Sequence, residues 1–168
     1  MVLGLALGWA CITGHEPVRA TQPTPVTVVP VVETLDEAPA QDAPERLDRA
    51  LLEALLARNL QPTLLEPSRY IEGFSARRDT QRRVEFLAEP GLVLLVENEA
   101  AYYSQLSGKY RWTVTTTLTL SPSGLADTFE TPVFLQYHHE RAPEAVAAAA
   151  PVIARRVGLL LDEYLAAP

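Results

Sequence analysis

Residues 109–120 alternate without a break. Tyr110, Trp112, Val114, Thr116, Leu118 and Leu120 hold one parity, and Lys109, Arg111, Thr113, Thr115, Thr117 and Thr119 hold the other. A period of two marks a β-strand with one face on a core and the other toward water. A chain carrying such a strand must also supply neighbouring strands and a layer that covers its apolar face. Ser121-Pro122-Ser123-Gly124 reads as the turn that ends it. Residues 128–138, with Phe129, Val133 and Leu135, read as the next strand. Upstream, 91–105 opens with an unbroken apolar run, Leu92 to Val96, the pattern of a central strand covered on both faces. Residues 26–34 are β-branched and read as the first strand. Pro30 has no backbone donor there, which predicts an edge position or a bend.

Helical spacing fills the gaps. Asp42 can cap a helix, Pro44 suits its first turn, and Glu45 can close a capping box. Leu47, Leu51, Ala54 and Leu55 then recur on one face, and Asn59 is a stop signal. Residues 61–66 give a short strand around Leu64 and Leu65. Residues 68–74 and 78–88 read as helical, with Val84 and Leu87 toward the core. In 143–166, Val146, Ala150, Ile153, Val157, Leu160 and Tyr164 form one apolar stripe, with Pro151 expected to kink the helix or split it. The order β-α-β-α-β-β-β-α predicts an α+β fold: a two-layer sandwich whose mixed sheet of about five strands is packed by helices. The 168 residues suit one domain, over 26–168, that buries its own core.

Residues 1–10 are apolar and uncharged, and Ala10 precedes Cys11, the one cysteine. The run is too short to span a bilayer, which takes about 20 residues, but has the length of a signal-peptide apolar region. It resembles a bacterial lipoprotein signal, although Gly8 and Trp9 stand where such signals carry Leu and a small residue. That resemblance implies removal of 1–10 and lipidation of Cys11. Ile12 rather than aspartate follows, which implies the outer membrane. Residues 11–25, with Pro17, Pro23 and Pro25, then read as a tether.

The formal net charge of −7 argues against a nucleic-acid partner, because phosphate recognition needs clustered Lys and Arg. Arg77, Arg78, Arg82 and Arg83 do cluster, and read as a solvated helix face. His138, His139 and Glu140 stand together at a strand end. A zinc site takes three or four protein ligands and no second His or Cys cluster exists, so they read as surface residues. No phosphate loop, nucleophile elbow or dinucleotide fingerprint is present. No catalytic residue, metal or cofactor is expected.

Val28-Val29-Pro30, the Leu- and Ala-rich helix Leu51-Leu52-Glu53-Ala54-Leu55-Leu56-Ala57, the stretch Leu87 to Val93 and the Gly-closed strand pair Leu118 to Gly124 resemble a bacterial envelope superfamily. Its members include the amino-terminal domain of TolB, the curli-secretion lipoprotein and the lipoprotein activators of penicillin-binding proteins. The resemblance spans most of 26–165 and rests on element order. It implies an outer-membrane lipoprotein, on the periplasmic face, serving as a non-catalytic adaptor or activator for an envelope protein partner. A lipopolysaccharide-assembly lipoprotein that supports a β-barrel and an envelope metal-dependent hydrolase are the alternatives. Tyr102, Tyr103, Tyr110 and Trp112 lie on adjacent strands, and aromatics on a reachable sheet face can anchor a partner. Tyr103, Glu97, Glu99 and Trp112 are therefore the candidate docking residues.

Overall fold

The computed structural model describes residues 22–34, 43–65, 70–72, 84–106, 108–136 and 141–167. The elements are β1 (Thr24–Thr34), α1 (Ala43–Leu56), β2 (Leu60–Leu64), β3 (Tyr70–Glu72), a helical turn α2 (84–87), β4 (Leu92–Leu106), β5 (Lys109–Ser121), β6 (Leu125–Leu135) and α3 (Ala142–Ala166). The sheet runs β2-β1-β4-β5-β6, with the short β3 also on β1. β1 is parallel to β2, β3 and β4, and β4-β5-β6 is an antiparallel meander. The expected α+β sandwich and its order of elements are what the chain forms.

Alternation explains the main layer. Val114, Thr116, Leu118 and Leu120 are buried on the helix side of β5, as are Phe129, Val133 and Leu135 on β6. They meet Leu47, Leu51 and Leu55 of α1 and Ala145, Val146, Ala149, Ile153 and Val157 of α3. The apolar run of β4 is covered on both sides. Leu92, Leu94 and Val96 join the helix-side core, while Val93 and Leu95 pair with Val29 and Val31 in a second cluster capped by Leu65, Phe86 and Leu87.

Four expectations need correction. β1 is interior, with neighbours on both sides, despite Pro30. Val28 accepts the Leu65 N–H at 3.0 Å, so even-numbered residues of this stretch turn their backbone groups toward β2 and β3. The missing donor of Pro30 thus falls between the pairs Val28↔Leu64 and Val32↔Tyr70. Within 68–74, residues Tyr70–Glu72 are strand rather than helix. Tyr and Ile favour a pleated surface, and β1 past β2 offers them a free edge. Val84 is exposed. The direction that buries both Phe86 and Leu87 lies about 110° from Val84 at 3.6 residues per turn. Finally, α3 runs undivided through Pro151, whose ring sits on the exposed side. The apolar residues flanking it on the sheet side outweigh a cost of about 3 kcal/mol.

Cys11, the arginines at 77–83 and the cluster at 138–140 lie outside the described residues, as does the Asp42 cap. Asn59 does follow the end of α1, in the left-handed region at φ 56°.

Candidate docking face of the sheet

Beyond Glu99, where its pairing with β1 ends, β4 continues with β5 as a long hairpin. Gly108 stands at its turn with φ 76°, a conformation a side chain would strain. The register shifts once, between Tyr102 and Ser104, leaving Tyr103 as the extra residue of a bulge.

The hairpin carries aromatic rings on both faces. On the helix side, Tyr102 packs edge-on against Trp112, centroids 5.7 Å apart, and lies 6.3 Å from Tyr110. Trp112 also leans on the core, and its Nε1 is buried without a hydrogen-bond partner among the described residues. On the opposite face, Arg111 lies over the Tyr103 ring with its guanidinium carbon 4.7 Å from the centroid. Register sets Phe134 of β6 beside Arg111. Tyr103 and Phe134 are 68% and 50% exposed. The four sequence candidates therefore divide. Tyr103, Glu97 and Glu99 share the face opposite α1 and α3, whereas Trp112 belongs to the other.

The face opposite α1 and α3 is charged in bands. Register places Thr115 between Glu99 on β4 and Glu130 on β6, and Thr117 beside Glu97 and Thr128. Lys109 and Arg111 occupy the same strand nearer the turn. Among the described residues, Arg111 makes no hydrogen bond or ion pair, and its Nε is buried. A guanidinium stacked on a ring and lacking a carboxylate is organised to accept one. Arg111, Glu130 and Phe134 were not singled out from sequence. The signal was available: Arg111 and Phe134 hold the polar parity of their strands, where a large ring needs a reason.

Two ion pairs lie away from this face. Arg58 donates from Nε and Nη2 to both carboxylate oxygens of Asp162, at 2.7 and 2.8 Å, and from Nη1 to the Ala54 carbonyl at 2.9 Å. These bonds raise the Arg58 pKa and lower that of Asp162. Arg156 sits 3.5 Å from Asp127 and over the Phe129 ring. Among the described residues, no group of three His, Cys, Asp or Glu side chains is placed to hold a metal ion. No described helix is long and apolar enough to cross a membrane.

No protein family's sequence profile matches the chain, and no curated protein matches it. Solved structures do resemble it. The PelC dodecamer from Paraburkholderia phytofirmans is 16% identical, with a TM-score of 0.39 over 83% of this chain and 88% of that one. A minor lipoprotein from Acinetobacter baumannii is 10% identical, with a TM-score of 0.41 over 84% and 94%. A lipoprotein from Neisseria meningitidis is 9% identical, with a TM-score of 0.39 over 86% and 100%.

Proposed function

We propose that this protein is an outer-membrane lipoprotein, held on the periplasmic face by lipid on Cys11, that works as a non-catalytic adaptor or activator in an envelope assembly. The anchor reading rests on the apolar run ending in Ala10-Cys11. The docking reading rests on one observation: Arg111, half-buried on the sheet, is clamped on the exposed Tyr103 beside the exposed Phe134, without a carboxylate among the described residues. Exposed rings around a guanidinium are the residue types that dominate binding hot spots.

Metabolic labelling with a clickable fatty acid, followed by membrane fractionation, tests the anchor. Label is expected on the wild type in the outer-membrane fraction and on no Cys11→Ala protein. A photo-crosslinking residue at position 103 tests the docking face. It is expected to trap adducts in the envelope that the same residue at Glu163, on the exposed side of α3, does not. Adducts that survive Arg111→Glu in a folded protein would remove Arg111 from the interface.

A further inference from the structure

The face of the meander opposite α1 and α3 is charged so as to complement itself. Its centre is the Thr113 row, where Ala101 of β4 and Pro132 of β6 flank Thr113 of β5. These side chains are small or flat, so a second sheet can approach to the usual spacing of about 10 Å. Two residues toward the turn stands Arg111, with Tyr103 and Phe134. Two residues the other way stands Thr115, between Glu99 and Glu130. Neither carboxylate makes a hydrogen bond or ion pair among the described residues, and neither do Arg111 and Lys109.

Consider a second copy turned by 180° about an axis that lies between the two sheets and crosses the strands at the Thr113 row. Strand β5 then lies over β5, running the opposite way. The Arg111 row of each copy faces the Thr115 row of the other. Each guanidinium enters between Glu99 and Glu130 of the opposite copy, and each Lys109 reaches the row of Glu97 and Thr117. Tyr103 and Phe134 cover the stems of those carboxylates. Such contact is isologous, so one patch makes every interaction twice. Turning the second copy about an axis along β5 instead sets Arg111 against Arg111 and Glu99 against Glu130. The charge pattern therefore selects one of the two simple pairings.

On the reading that this face is a docking surface, we propose that its occupant is a second copy of this chain, packed face to face and antiparallel across the Thr113 row. Nine positions along each of three strands make a patch of about 30 Å by 14 Å, about 800 Å² over the two copies, below the usual range of stable interfaces. The pairing is therefore reversible, and salt weakens it because so small a contact leaves its charges within reach of solvent.

Full-length protein in its own membranes carries the test. Thr113→Cys is treated with a short bis-maleimide, and the wild type, which has only Cys11, sets the background. Thr113→Cys is expected to give covalent dimer at least about fivefold above that background. Thr119→Cys is expected to give none, because the two copies of that residue lie about 40 Å apart across the axis. Arg111→Glu in the Thr113→Cys chain is expected to cut the dimer about fivefold or more, as is Glu99→Arg with Glu130→Arg. Combining all three reversals restores complementarity and is expected to return the dimer, which also excludes misfolding as the cause of the loss. Absence of a Thr113→Cys dimer, equal dimer at Thr119→Cys, or no rescue by the triple reversal would each overturn the proposal. If the dimer is absent while adducts at position 103 remain sensitive to Arg111→Glu, the second copy is wrong and the docking face stands. If both are absent, the docking reading fails with it.

Discussion

Asn98 places an amide in the apolar layer between β4 and the helices, 2% exposed. Its Nδ2 donates to the carbonyls of Val31 at 3.0 Å and Val96 at 3.3 Å, and its Oδ1 accepts from Thr116 Oγ1 at 2.9 Å. The group is thus satisfied only while Thr116 keeps its hydroxyl. Thr116→Val retains the shape and strands the oxygen, and is expected to destabilise by about 1–3 kcal/mol in urea denaturation. Asn98→Leu with Thr116→Val removes both partners and is expected to recover much of that loss. Failure to recover would mean that the Val31 carbonyl depends on Asn98 more than Asn98 depends on Thr116. Arg58 offers a second residue-scale test. Its bond to Asp162 lowers the carboxylate's pKa. A carboxylate lowered on folding stabilises the protein above its unfolded pKa, and that contribution is lost as pH falls through the folded one. Asp162→Asn is therefore expected to lower the melting temperature slightly at neutral pH, with the difference from wild type lost as pH falls below the ordinary carboxylate range. Arg58 also lies against Gly158, where an added Cβ would meet Cζ at 2.9 Å. Neither site was legible in the sequence. Thr116 keeps the parity of the apolar face and betrays no partner, and Gly158 looks like any small residue on a helix. Their roles come from residues 18 and 100 positions away, which periodicity does not encode.

Elements were more legible, because each is a local pattern that the tertiary structure preserves. The alternation of 109–120 became β5, the run Leu92 to Val96 became a strand covered on both faces, and Asn59 closed α1. Misjudged elements were those whose state depends on a neighbour. Tyr70–Glu72 are strand because β1 extends past β2. Pro30 is tolerated inside the sheet because β2 and β3 leave a step between them. Pro151 remains in one helix because Ala150, Ile153 and Val157 are pressed on the sheet. That last case is testable. Pro151→Ala restores a backbone donor on a helix already held in place, and is expected to stabilise by about 1–3 kcal/mol. A loss of stability instead would mean that the helix axis bends at Pro151 to fit the sheet. Leu118→Ala, at a position with no exposed surface, is expected to cost about 2–5 kcal/mol through the cavity it leaves.

At the scale of the molecule, the sheet has two unlike ends. β1 begins at Thr24 beside the start of β4, while the β4–β5 turn lies at the far end. About eleven residues of strand, some 36 Å, separate Thr24 from the Thr113 row. Two copies joined across that row carry Thr24 at opposite ends, roughly 70 Å apart. Residues 12–23, fully extended, span at most about 40 Å. Copies anchored in one membrane cannot stand upright in such a pair, because the distal tether would fall short. If Cys11 anchors both copies, the pair must lie along the membrane, both tethers running down. A molecule that instead docks its hairpin on a distant partner stands upright and needs the full tether. Deleting residues 14–19 separates these arrangements, since it shortens each tether by at most about 20 Å. A pair lying flat keeps its dimer at Thr113→Cys with undiminished yield. An upright molecule loses its adducts at position 103, and its melting temperature does not change, because the deletion stops short of β1. Loss of both the dimer and the adducts would place the contact farther from the membrane than a flat pair allows.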